Sequence, residues 1–100
     1  MTDILKKIDF EKQDGMVPVI TQDYKTNEVL MLAYMNKEAV ELSLQTSYAH
    51  YFSRTKQRIW KKGESSGHTQ KIESISLDCD NDTILLTLET NGTIGILKKK

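Results

Sequence analysis

The sequence of 100 residues holds one cysteine, one proline and no net charge. A single cysteine cannot close an internal disulfide, so Cys79 is a buried thiol, a reactive thiol, or a metal ligand that needs partners from elsewhere. Fourteen basic residues offset fourteen acidic ones. No global field therefore draws the chain to nucleic acid or an anionic membrane, and any attraction is local. Nowhere do about 18 apolar residues run together, as a spanning helix requires. The acids within "MTDILKKIDFEK" argue against a secretory leader, so the expected location is cytoplasmic. No repeat, linker or low-complexity segment divides the chain, and a hydrophobic fraction of 38% suffices for one core. The expectation is one domain over residues 1–100.

What is present alternates more than it spirals. "TDILKKIDF" spaces Ile4, Leu5 and Ile8 as a short helical stripe behind Thr2 or Asp3. "MVPVITQ" (16–22) and "VLMLAYM" (29–35) flank the polar "DYKTNE" and read as a β-hairpin opened by Asp14-Gly15. Pro18 places the first strand at an edge, or with its prolyl nitrogen turned away from a neighbour. Asn36 caps "KEAVELSLQ", whose Ala39, Val40, Leu42 and Leu44 give an apolar face while Glu38 and Glu41 stay outside. "AHYFSR", "RIWKKGE", "TQKIESISLD" and "TILLTLE" then read as strands, with Ile84, Leu86 and Leu88 on one face. The ending "TNGTIGILKKK" reads as a frayed terminus. The fold class expected is α+β, with mostly antiparallel sheets and a few short helices.

Three stretches carry chemistry. In "LDCDNDTIL", a strand continuing past Leu77 would put Ile75, Leu77 and Cys79 on one face and Ser76, Asp78 and Asp80 on the other. Thiolate and carboxylates would then serve two sites: soft sulfur suits zinc, and Asp78, Asp80 and Asp82 offer the hard oxygens that suit magnesium. The plainer alternative is a type I hairpin turn, because Asp and Asn hydrogen-bond their own backbone. The second stretch, "RTKQRIWKK", sets five cations around Trp60, following Tyr51 and Phe52. Arg54, Trp60 and Lys62 suit a phosphate and a base, a single-stranded nucleic acid, or simply a solvated hairpin. The balanced net charge favours a small phosphorylated ligand over nucleic acid. The third is "KGESSGH", where Gly63, Ser65, Ser66 and Gly67 free the backbone and supply donors for an anion. No Walker lysine follows the second glycine. Glu64 and His68 are candidates for proton transfer, although a lone Glu or His in a polar loop is more often solvated. His50, among aromatic neighbours, reads as structural.

The order "VPVITQDYKTNEVLMLAYMN", "YFSRTKQRIWKKGESSGHTQK", "LDCDND" resembles the phosphoribosyl-AMP cyclohydrolase family over roughly residues 14–89. The resemblance implies hydrolytic opening of the adenine ring of N1-(5-phosphoribosyl)-AMP in histidine biosynthesis. It implies zinc and magnesium as cofactors, with Cys79 a zinc ligand and Asp78, Asp80 and Asp82 the magnesium carboxylates. Arg54, Trp60, Lys62 and the Gly63-to-His68 loop would line the substrate site. It further implies an intertwined, pseudobarrel-like homodimer whose active sites draw on both chains. After "TLE" the family pattern continues with C-H-T-G and a further cysteine. Here "NGTIGILKKK" follows, with neither cysteine nor histidine, so Cys79 stands without those companions. A relative that binds the nucleotide without opening it is the second reading, and a single-strand nucleic-acid-binding β domain the third.

Overall fold

The computed structural model describes residues 2–11, 14–63 and 69–90. The element order is α1 (Thr2–Lys7), β1 (Met16–Asp23), β2 (Val29–Asn36), α2 (Lys37–Thr46), β3 (His50–Ser53), β4 (Arg58–Lys61), β5 (Gln70–Leu77) and β6 (Ile84–Thr90). Four strands form one sheet in the order β2-β1-β6-β5, and β3 pairs with β4 in a second. The only parallel pairing described sets β1 beside β6; the others are antiparallel. This is the expected α+β class. Among the described residues the two sheets remain open and do not close into a barrel.

Local chemistry explains most boundaries. Asp14 and Gly15 both take left-handed backbone (φ 60° and 84°), and Gly15 N–H donates to the Phe10 carbonyl at 2.7 Å, so the chain reverses just before β1. β1 alternates Val17, Val19 and Thr21 inward with Pro18 and Ile20 outward. It is an interior strand, so the edge alternative for Pro18 fails. Pairing with β6 begins only at Val19, one residue after the proline, and that ladder loses no bond to the missing N–H. Asn36 caps α2 as expected, its side-chain oxygen accepting from Ala39 N–H at 2.8 Å.

The buried face of α2 differs from expectation. Ala39, Val40 and Ser43 are buried, whereas Leu42 and Leu44 are half-buried. A polar residue occupies the helix's inner row because Ser43 Oγ accepts from His50 N–H at 2.9 Å and donates to the His50 carbonyl at 3.3 Å. Both polar functions of the hydroxyl are thus matched against β3. The core gathers Val17, Val19, Leu30, Met35, Val40, Tyr51 and the inward row of β6, Ile84, Leu86 and Leu88. The residues of "TNGTIGILKKK" beyond Thr90 lie outside the described ones.

Candidate active site

The acidic motif is a turn between two antiparallel strands, not a strand. β5 ends at Leu77 and β6 begins at Ile84, so the face alternation anticipated through Cys79 stops before it reaches the thiol. Asp78 organises the reversal: its N–H donates to the Thr83 carbonyl, its carbonyl accepts from Asn81 N–H, and its Oδ1 accepts from Asp82 and Thr83 N–H at 3.1 and 3.3 Å. Asn81 supplies the left-handed residue, φ 62°. Desolvation works to raise the Asp78 pKa, but hydrogen bonds from Asp82, Thr83 and Asp80 outweigh it and hold the carboxyl below its ordinary value. Asp78, Cys79 and Asp80 are exposed and Asp82 is half-buried. Cys79 Sγ donates to Asp80 Oδ1 at 3.7 Å, so thiol and carboxylate meet instead of pointing apart.

The donor set fits the two metals differently. Magnesium commonly takes one or two carboxylates and keeps water for its other positions. The Asp82 side chain hydrogen-bonds the Asp78 carboxylate, so the two lie together in the turn. Zinc asks for three or four protein ligands. Among the described residues no group of three or more His, Cys, Asp and Glu side chains is close enough to hold a metal, and Cys79 is the only cysteine in the chain. Among the described residues no such cluster forms for either metal; by donor type alone, the Asp78, Asp80 and Asp82 carboxylates are the hard oxygens that magnesium takes and Cys79 the soft sulfur that zinc takes.

The cationic residues sit on the other sheet. Arg54 follows β3 in a turn held by Gln57 N–H on the Ser53 carbonyl and by Lys56 N–H on Ser53 Oγ. Its guanidinium lies 4.4 Å from the centre of the Tyr34 ring, a cation–π contact that pins it against β2. Trp60 is half-buried on β4, opposite Tyr51, with ring centres 5.2 Å apart at 46°. Lys62 N–H donates to the Ala49 carbonyl at 3.1 Å, and Gly63 follows in left-handed backbone (φ 86°), where a side chain would be strained. Glu64, Ser65, Ser66, Gly67 and His68 lie outside the described residues. His50 is half-buried, its Nδ1 2.9 Å from the Tyr48 carbonyl.

β5 separates the two groups. Gln70, at its start, touches the cationic hairpin: Tyr51 OH donates to Gln70 Oε1 at 2.6 Å, and Ala49 N–H donates to the Gln70 carbonyl. The acidic turn follows Leu77, at the other end of an eight-residue strand. At about 3.3 Å per residue the two ends are roughly 23 Å apart. Sequence reasoning missed Tyr34 as the Arg54 partner and Asn81 as the pivot of the turn. No local pattern announces the first; the second was available in the tolerance of Asn for left-handed backbone.

Comparison with known proteins matches residues 31–96 to the family model for phosphoribosyl-AMP cyclohydrolase. The chain belongs to the phosphoribosyl-AMP cyclohydrolase family. It is 52% identical over 92 residues to a phosphoribosyl-AMP cyclohydrolase of Streptococcus thermophilus, covering 92% of this chain and 80% of that one. A histidine biosynthesis bifunctional protein HisIE of Wolinella succinogenes is 61% identical over 92 residues, covering 92% of this chain and 40% of that one. A similar protein of Thermoanaerobacter pseudethanolicus is 56% identical over 89 residues, covering 89% and 41%. The chain thus spans about two fifths of the bifunctional relatives' length. Within the cyclohydrolase match fall Tyr34, the cationic hairpin and the whole acidic turn.

Proposed function

We propose that the chain binds N1-(5-phosphoribosyl)-AMP and opens its adenine ring by hydrolysis, as a step of histidine biosynthesis. The observation that carries this reading is the family match over residues 31–96, which spans the cationic hairpin and a turn offering Asp78, Asp80 and Asp82. In this proposal Arg54 and Lys62 hold phosphate oxygens. Arg54 does so from a guanidinium already immobilised on Tyr34, which reduces the ordering required on binding. Trp60 would contact the base, and the Gly63-to-His68 stretch would supply further donors, with Glu64 and His68 assigned to proton transfer. Magnesium, held by Asp78, Asp80 and Asp82, would neutralise phosphate charge and orient the substrate.

A homodimer is part of the same proposal. Two observations support it. The acidic turn and the cationic hairpin lie at opposite ends of β5, so two chains can supply one site where one chain separates its halves. The outer face of the large sheet also carries a row of apolar residues, Leu32, Ile20 and Leu85, aligned across β2, β1 and β6. A cytoplasmic location is also proposed, supported by a lone cysteine that has no disulfide partner in the chain. Among the described residues no helix is long and apolar enough to cross a membrane.

A second reading, a relative that binds the nucleotide without consuming it, is supported by Cys79 being the only cysteine in the sequence. Turnover of phosphoribosyl-AMP, followed by the ultraviolet change on ring opening, together with zinc content by plasma mass spectrometry, separates the two. Ring opening establishes the hydrolase. Saturable, magnesium-dependent binding without turnover establishes the binder, and neither binding nor turnover contradicts both.

A further inference from the structure

None of the residues assigned to the proposed site lies in the N-terminal segment, yet that segment is fastened to the acidic turn. α1 is too short to persist alone, and Ile8 anchors the segment by burying its side chain in the core, where Leu5 and Phe10 pack against the same cluster. Just beyond, the Asp9 carboxylate accepts from Glu11 N–H at 3.1 Å. Asp9's own N–H donates to the Asn81 carbonyl at 2.7 Å. Ile4 and Lys7 of α1 face Leu77 and Asn81 across one cleft. Asn81 is the residue of the turn held in left-handed backbone, the point at which the chain reverses. The turn is therefore gripped from inside by the Asp78 carboxylate, through Asp82 and Thr83 N–H, and from outside by Asp9.

We infer that Ile4 to Asp9 form a brace that holds the acidic turn in its carboxylate-presenting shape, with Asp9 a positioning residue that acts through its backbone N–H. The family match begins only at residue 31, so the brace lies outside it. Its functional meaning rests on the magnesium reading of the turn; its existence does not.

The test uses the full chain. Asp9→Pro deletes the N–H together with the acceptor for Glu11, Asp9→Asn keeps both, and Asp9→Ala, which deletes the acceptor alone, should leave Asp82 and Thr83 exchange as in the wild type. Amide hydrogen exchange without metal should show Asp82 and Thr83 exchanging about five- to tenfold faster in Asp9→Pro, the loss of one hydrogen bond. Asp9→Asn should match the wild type, and amides of β1 and β6 should not change in either variant. Unchanged rates at Asp82 and Thr83 in Asp9→Pro overturn the brace. Should Asp9→Pro fail to fold, Ile4→Ala, which trims the cleft wall facing Leu77, decides by the same comparison. Titration with Mg2+ then reads the consequence, with weaker binding expected for Asp9→Pro and no change for Asp9→Asn. A wild-type chain that takes up no Mg2+ refutes the magnesium reading of the turn, while the exchange rates still decide the brace.

Discussion

Under the proposed magnesium reading Asp78 does two jobs with one carboxylate, and two substitutions separate them. Its Oδ1 closes the turn by accepting from Asp82 and Thr83 N–H, and its charge is available to a cation. Asp78→Asn keeps the acceptor and removes the charge. It should leave the turn's amide shifts in place while weakening Mg2+ binding about tenfold, the scale of one ~1.5 kcal/mol charge-assisted contact. Asp78→Ala should lose both, and nuclear magnetic resonance with Mg2+ titration distinguishes the outcomes. Tyr51 gives a prediction in the alkaline range. Burial pushes its phenol well above the ordinary tyrosine value, so the folded chain keeps it neutral where the unfolded chain ionises it. That contribution is fully present below about pH 10 and is lost as pH rises further, by up to ~1.4 kcal/mol per pH unit. Tyr51→Phe should flatten this alkaline decline in urea melts. At neutral pH it should cost about 1–3 kcal/mol, because buried Gln70 Oε1 loses its donor.

Among the elements, α2 shows what a local pattern can and cannot convey. Its start was legible because Asn36 is a capping residue followed by a helical stripe, and Asn36→Ala should lower stability by about 1 kcal/mol in a thermal melt. Its inner face was misread at Ser43, since a serine becomes a core residue only when a distant backbone matches both its polar functions, here His50. The same distinction runs through the strands. The hairpin of β1 and β2 and the inward row of β6 were legible from alternation, which depends on neighbours in sequence. The parallel pairing of β1 with β6 was not, because nothing local records which strand slides between β1 and β5. In the candidate site, the acidic residues were legible as residues that turn a chain or hold a cation. That the first description applies, with the strand stopping at Leu77, required the hydrogen bonds of Asp78.

At the scale of the whole molecule, one side of the large sheet packs on the core and the other presents Leu32, 63% exposed, beside Ile20 and Leu85. An apolar row of this kind suits the second chain of the proposed dimer. Under the proposed dimer, Leu32→Lys should shift the chain toward monomer in analytical ultracentrifugation while retaining its far-ultraviolet circular dichroism. If two chains share each site, the same substitution should also depress nucleotide binding, although Leu32 belongs to neither the acidic turn nor the cationic hairpin. The central claim joins that turn and that hairpin to one ligand. Calorimetric titration with phosphoribosyl-AMP, with and without Mg2+, tests it most directly. The account predicts saturable binding that requires Mg2+ and is lost in Asp80→Asn with Asp82→Asn; binding of equal strength without the metal, or in that double variant, would contradict it.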